Sequence, residues 1–230
     1  MSSELAEFLG ILVGDGHIRE FNDYKTKRTN RRVEIVGHSK HDMEYLNNHI
    51  KRLFMKLFNL NVKVMKRSKQ NTIRMTIGST GLFNFLKFLG MNIGPKNNIT
   101  IPKILLNTQY IIPFIRGLFD TDGAVALKKR HKKFFFYPTI TIRQKSEKII
   151  RQLEFLLKCL GFSVYVYYNE IRDDGTGNLH SGHKLDINGK RNLDKWMNII
   201  GFNNPKHLVK VKKCMNIYST CKVRTYNLKS

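Results

Sequence analysis

Acidic residues are scarce in this chain: 17 Asp+Glu stand against 41 Lys+Arg in 230 residues, leaving a formal net charge of +24. That excess is far beyond what solubility needs. It selects a polyanionic partner, nucleic acid first and an anionic membrane surface second. Cysteine is scarce too. Cys159, Cys214 and Cys221 are odd in number and lack a paired spacing, which argues against a disulfide framework and for reduced thiols in an intracellular protein. No apolar run approaches the roughly 18 residues of a membrane-spanning helix. Glu4 and Glu7 stand where a signal peptide would be basic. Lysine richness alone also fits a solvated surface encoded by an AT-rich genome, so the charge needs a second, independent observation beside it.

A stretch that occurs twice supplies it. Leu5–Ile18 reads LAEFLGILVGDGHI and Ile112–Val125 reads IPFIRGLFDTDGAV. In each, an apolar run at helical spacing stops at an Asp followed by Gly. Leu5, Phe8, Leu9, Leu12 and Val13 form one stripe, and Ile111, Ile112, Ile115, Leu118 and Phe119 form the other. Gly16 and Gly123 suit the position just past a helix end. Gly10 with Gly14, and Gly117 with Thr121, put small residues four apart on one face, so the two helices are expected to pack closely. Asp15 and Asp122 then emerge together at one end, where each faces the negative pole of its helix and the charge of the other. A shared proton or bound cations would relieve that repulsion, and hard divalent ions prefer such oxygen ligands. One Asp-Gly after a helix is commonly a plain turn; two copies on matched helices argue against that reading.

Phe8–Gly16 (FLGILVGDG) and Ile115–Gly123 (IRGLFDTDG) resemble the two motif copies of the monomeric LAGLIDADG homing endonucleases, and the resemblance spans nearly the whole chain. Val13 departs from the motif where Asp120 keeps it, at a position that does not bind metal in the family. The resemblance implies that Asp15 and Asp122 bind the metal, joined by the carbonyls of Gly14 and Thr121. It implies Mg²⁺ as the cofactor, with Mn²⁺ or Ca²⁺ able to substitute for binding. Lys96 and Lys206 match family lysines that approach the scissile phosphates. Gln144 and Lys148 match a Gln and a basic residue that organise water around the metals. Their counterparts in the first half are Gly37 and His41, so this arrangement is asymmetric.

The same 107-residue separation that relates Asp15 to Asp122 relates Ser39 to Ser146, Leu46 to Leu153, Ile50 to Leu157 and Leu53 to Leu160. Gly201–Lys206 likewise matches Gly90–Lys96, and the duplication is legible without any other sequence. Each unit reads helix–strand–strand–helix–strand–strand–helix. In the first, His17–Lys27 and Arg32–Val36 read as strands around a Lys25–Arg31 loop. Ser39 is a plausible N-cap for a helix with Met43, Leu46, Ile50, Leu53 and Leu57 on its buried face. Strands around Val62–Met65 and Ile73–Ile77 follow, then a short helix over Leu82–Leu89 whose Phe residues read as core, as does Trp196. The second long helix is expected to end about five residues early. The predicted fold is α+β: duplicated αββαββα units with pseudo-two-fold symmetry, repeats at 1–102 and 103–230, and a basic tail from His207. Two antiparallel four-stranded sheets would form a saddle around the central helix pair.

Strand alternation sorts the side chains. With Val33, Ile35, Ile73, Met75 and Ile77 inward, Arg32, Glu34, Arg74 and Thr76 face outward, and Lys63 opposes Val62 and Val64. In the second half Thr141, Arg143, Tyr165, Tyr167, Lys184, Asp186 and Asn188 face outward. Such a mixture can read base edges, although a solvated sheet face alternates in the same way. His180, His183 and Asp186 lack a fourth ligand for structural zinc and read instead as a DNA-facing hairpin. His38 and His41 read as contact or cap residues. The expected function is that of a monomeric, site-specific double-strand DNA endonuclease. It would act on a duplex of roughly 20 base pairs and, by resemblance, leave short 3′ overhangs. It would work inside an archaeal or bacterial cell or a eukaryotic organelle, without a membrane partner. The alternative is a non-cleaving nucleic-acid binder such as an intron RNA maturase. An intein is disfavoured by a chain that starts at Met1 and ends Asn-Leu-Lys-Ser230.

Overall fold

The apolar stripe from Leu5 to Val13 forms helix α1, Ser3–Gly14, whose first turn is capped by Ser2 Oγ accepting from Leu5 N at 3.2 Å. The chain is seen in a computed structural model that describes residues 1–226 except 26, 68, 69, 107, 130–135, 174 and 176, with side chains to residue 217. After α1 come β1 (Gly16–Asp23), β2 (Arg28–His38), a π-helical turn (Tyr45–Ile50) running into α2 (Lys51–Phe58), β3 (Val64–Lys66), β4 (Thr72–Gly78) and α3 (Thr80–Phe88). The second unit repeats the order: α4 (Ile111–Asp122), β5 (Gly123–Lys129), β6 (Phe136–Gln144), α5 (Glu147–Cys159), β7 (Val164–Asp173), β8 (Leu179–Asn188) and α6 (Lys190–Ile199). Helix α7 (Pro205–Tyr226) extends it. The strands form two antiparallel sheets, ordered β1-β2-β4-β3 and β5-β6-β8-β7, as the duplication requires.

The core lies between the helix pair and the inner sheet faces. Phe8, Leu9, Leu12, Phe114, Leu118 and Phe119 meet Val33, Ile35, Ile140, Ile142, Leu185 and Ile187 there, all at most 1 % exposed. Burial of this kind is worth about 1.5–3 kcal/mol per large apolar side chain. Trp196 is fully buried against Phe119, Phe162 and Phe202.

Several expectations are corrected. β2 begins at Arg28, so the polar residues Arg28 to Arg31, expected in a loop, line a strand instead. Ser39 caps no helix. It lies in a turn closed by His38 N donating to Asp42 Oδ2 at 2.9 Å. β3 is only three residues long, leaving Lys63 exposed but outside it. Of the phenylalanines of α3, Phe83 is buried while Phe85 and Phe88 are exposed.

Candidate active site

The site begins where α1 and α4 touch. A Cβ on Gly10 would lie 2.1 Å from the Phe114 carbonyl oxygen, and one on Gly117 2.2 Å from that of Glu7. A Cβ on Gly14 would overlap the Thr121 hydroxyl. The small residues therefore bring backbone against backbone, and the helices end side by side. Gly16 and Gly123 serve close approach rather than the left-handed turn expected of them. Gly123 is extended (φ −78°), and each glycine passes over the preceding helical turn, where a Cβ would come within 2.5 Å of Leu12 and 2.4 Å of Phe119 respectively.

Asp15 caps α1 and Asp122 closes α4, both half-buried. A Cβ on Gly14 would lie 3.4 Å from the Asp122 carboxyl carbon, which places that carboxylate at the end of the opposite helix. Burial, then the charge of Asp122, push Asp15 up to about 7, against the opposing pull of Lys206 and Lys96. Asp122 is raised as well, chiefly by burial, while Lys96, the Gln144 hydrogen bond and Lys206 oppose the shift. The repulsion anticipated from the motif is thus present.

Lys96 and Lys206, equivalent in the repeat, both reach this point but bind differently. Lys96 Nζ donates to the carbonyls of Leu12 (3.2 Å), Val13 (2.8 Å) and Gly14, neutralising the end of α1. Burial lowers its pKa, and Asp122 and Asp15 raise it. Lys206, in the first turn of α7, donates to Asp42 Oδ1 at 2.8 Å and to the Thr121 carbonyl at 3.4 Å. The two carbonyls assigned to metal by resemblance therefore accept from lysines here. Gln144 ends β6 and donates from Nε2 to Asp122 Oδ2 at 2.5 Å, whereas Lys148 is exposed on α5.

Among the described residues no group of three or more His, Cys, Asp or Glu converges as a metal cage. A pair of adjoining carboxylates, both raised chiefly by burial, is nevertheless the donor set Mg²⁺ uses when substrate phosphate and water complete its shell. The residues present fit such an ion. Asp120 faces away from this pair into the protein. At 0 % exposure, it accepts from the backbone N–H of Asn203 (3.0 Å) and Asn204 (3.1 Å). Burial raises it to about 7. Val13, buried as well, occupies the equivalent place on α1, and the repeat sets Ile93 against Asn204.

Asp42, which the motif did not reveal, completes the cluster. It is buried, accepts from Lys206, from Asn204 Nδ2 at 3.0 Å and from His38 N, and adds to the upward pressure on Asp15. Burial acts to raise its own pKa, but the Lys206 contact and the other donors outweigh it and the net shift is downward. A signal was available: the repeat places a charged Asp42 opposite an apolar Ile149.

The sheet registers pair the residues expected on the outward faces with one another, but Asp186 is buried at 1 % exposure and held by Lys128 and Lys184. Thr141 lies opposite Asp186, Arg143 opposite Lys184, and Tyr165 and Tyr167 opposite Asp186 and Lys184; Asn188 accepts from Thr139 Oγ1 at 2.8 Å. Lys128, also missed, belongs to this face through the alternation of Ala124, Ala126 and Lys128, and donates to Asp186 at 2.5 Å. In the first sheet Glu34, 7 % exposed, is engaged by Arg74 (3.3 Å), Thr76 (3.2 Å) and Arg19 (3.5 Å), while Arg32 lies over the Phe21 ring. His17 and Arg19, not anticipated, line a cleft of about 500 Å³ with Glu34, Arg67 and Arg74. His183 accepts from Asn169 N and packs against Tyr168. No helix among the described residues is long and apolar enough to cross a membrane.

A family model described as a LAGLIDADG-like domain matches residues 109–201. Among curated proteins, the isomerizing glutamine–fructose-6-phosphate aminotransferase of Methanocaldococcus jannaschii is 25 % identical over 216 residues, 93 % of this chain and 17 % of that protein. The NrdEB alpha subunit of ribonucleoside-diphosphate reductase of Bacillus subtilis is 27 % identical over 217 residues, 86 % of this chain and 19 % of that protein. The chain spans less than a fifth of the length of either relative. Two solved structures have the same fold. The homing endonuclease I-DmoI in complex with DNA and Mn superposes with a TM-score of 0.60 at 21 % identity, covering 86 % of this chain and 96 % of that one. The I-LtrWI LAGLIDADG homing endonuclease bound to target DNA superposes with a TM-score of 0.61 at 13 % identity, covering 96 % and 92 %.

Proposed function

We propose that this chain, with two motif copies of LAGLIDADG type in one polypeptide on the duplicated fold of the homing endonucleases, is a site-specific double-strand DNA endonuclease. The observation that carries the reading is the end of the helix pair. There two acids are held against each other's charge, with a lysine from each unit at the same point. A protein that only bound nucleic acid would gain nothing from that repulsion.

The two units, with their boundary at residues 102 and 103, lay their open sheet faces along one duplex of roughly 20 base pairs, each following about a turn of the major groove. Arg32, Arg74, Thr76, Thr141, Arg143, Lys184, Asp186 and Asn188 stand on the faces that would read base edges, with Glu34, Tyr165 and Tyr167 beside them; Lys63 and the loop cations hold phosphate. Asp15 and Asp122 would hold divalent cations, Mg²⁺ in the cell, with Gly14 and Thr121 oxygens available once the lysines turn away. When bound, such ions activate water and stabilise the leaving oxygen. Lys96 and Lys206 turn from the helix ends to the scissile phosphates and neutralise their growing charge. Gln144 fixes the Asp122 carboxylate through its amide. Cuts on both strands across the minor groove would leave short 3′ overhangs. Carrying both units in one chain, the enzyme acts as a monomer on intracellular DNA.

Asp15→Asn and Asp122→Asn are expected to abolish double-strand cleavage of a target selected from randomised DNA, while binding changes by less than about tenfold. Full cleavage by the double variant in Mg²⁺ rejects the assignment. One observation favours the alternative of a non-cleaving binder such as an intron maturase: Lys96 and Lys206 already offset the two acids without a metal. Linear plasmid products at one sequence decide for the enzyme.

A further inference from the structure

The two halves of the cluster are not chemically equal. Lys96 and Lys206 are equivalent in the repeat, yet among the described residues the hydrogen bonds of Lys96 all go to backbone carbonyls, whereas Lys206 binds a buried carboxylate. That carboxylate, Asp42, corresponds to Ile149 in the second unit. It cannot follow the lysine if the lysine moves, because His38 N holds Oδ2 at 2.9 Å and Asn204 Nδ2 holds Oδ1 at 3.0 Å. Its place exists because residue 37 is glycine: a Cβ there would lie 2.9 Å from Asp42 Cβ. The strand position equivalent to Gly37 carries Gln144, which points its amide at Asp122 instead. The second unit therefore supports its acid with an amide but commits its lysine to a third carboxylate, which the first unit supplies. The first unit has no such amide and leaves its lysine free of carboxylate.

We propose that Asp42 is a positioning residue that withholds Lys206 and makes the two strand cuts unequal, the strand served by Lys206 being cut second. The proposal rests on the endonuclease reading. To neutralise a phosphate, Lys206 must give up a hydrogen bond to a fixed carboxylate in which both partners are ionised, whereas the acceptors of Lys96 are neutral. Lys96 gives up bonds to carbonyls. That difference slows the strand served by Lys206.

The test uses the full chain and a duplex target, obtained by cleavage-site selection and labelled differently on each strand, with the two nicking rates followed in Mg²⁺. The wild type is expected to nick one strand first, and Lys206→Met to suppress the slower cut. Asp42→Asn is expected to bring the rates together by about tenfold, the worth of a charge-assisted hydrogen bond. Asp42→Asn combined with Lys206→Met is expected to match Lys206→Met alone, which a general structural role of Asp42 would not produce. Gly37→Ala, which displaces Asp42 without removing it, is a second variant that should move the ratio the same way. Binding of each variant to uncut target in Ca²⁺ checks its fold. No cutting of any DNA by the wild type overturns the endonuclease reading. Cutting at equal strand rates overturns this inference alone, as does a ratio unchanged by both Asp42→Asn and Gly37→Ala, or suppression of the faster cut by Lys206→Met.

Discussion

Carboxylates near the end of the helix pair carry different duties, and their proton affinities separate them. Asp15 and Asp120 each sit near 7 in the folded protein, against an ordinary 3.8, with burial the first cause in both. The folded state therefore binds more protons than the unfolded chain between about pH 4 and 7, and the stability these groups contribute is lost as pH rises through about 7. Buried His207, depressed to about 3, acts oppositely but only below its ordinary 6.5. The clean window lies above that value. Metal-free protein is thus expected to melt at a lower temperature at about pH 8 than at about pH 6.5, and Asp15→Asn to reduce the difference, with Asp120 supplying what remains. A divalent cation should raise the melting temperature more at the higher pH, because it needs the acids ionised. Thermal melts across that window check all three; a metal-free midpoint that climbs with pH contradicts them. Asp15 and Asp122 were legible in the sequence because a carboxylate after a helical stripe is anomalous, and doubly so when repeated. Asp42 carried only the fainter signal of standing opposite Ile149 in the repeat, because the turn that holds it follows a strand with no motif of its own.

Elements are held in place here by what their contact faces omit. At Gly10 and Gly117 the atoms a Cβ would strike belong to backbone, at 2.1 and 2.2 Å, so neither neighbour can swing aside and the helices themselves would have to part. Gly10→Ala or Gly117→Ala is expected to cost about 3 kcal/mol or more in urea unfolding, in the class of overpacking within a core. Gly78, with open space around its Cα, should accept Ala within about 0.5 kcal/mol. Comparable losses at all three positions would mean that close helix approach is not what the glycines serve. The matched helices and eight strands could be read from periodicity because one face of each is buried. The π-helical turn at Tyr45–Ile50 could not. Its apolar positions fit an ordinary helix, and the wider turn stacks Tyr45 on His49 (5.2 Å) so that they reach Asp120 at 3.4 Å and Glu7 at 2.6 Å on distant helices.

Those contacts give the whole molecule one polar seam and one apolar seam. On the first, Glu7 binds His49 and accepts from Asn203 Nδ2 at 2.7 Å, while Tyr45 donates to Asp120. On the second, the repeat places Phe114, Leu156 and Val13 where Glu7, His49 and Asp120 stand. The duplicated halves are equal in fold and unequal in chemistry, which suits a target whose two half-sites differ in sequence. Charge acts on a larger scale. At a formal +24, association with a duplex should be dominated by phosphate contacts that release counterions, so log K falls linearly with log salt. Lys25 and Arg28, exposed at the first hairpin loop, lie clear of the helix pair. Replacing both by Gln is expected to lower the salt slope by about two without changing which sequence is preferred. Thr141→Ala, on the open face opposite Asp186, should do the reverse, altering preference by about 1–3 kcal/mol at one base pair while leaving the slope intact. Titration of each variant against matched and mismatched duplexes over a salt series separates the two effects. If the loop variant relaxed sequence preference and the face variant changed only the slope, the sheets would not be lying in the groove.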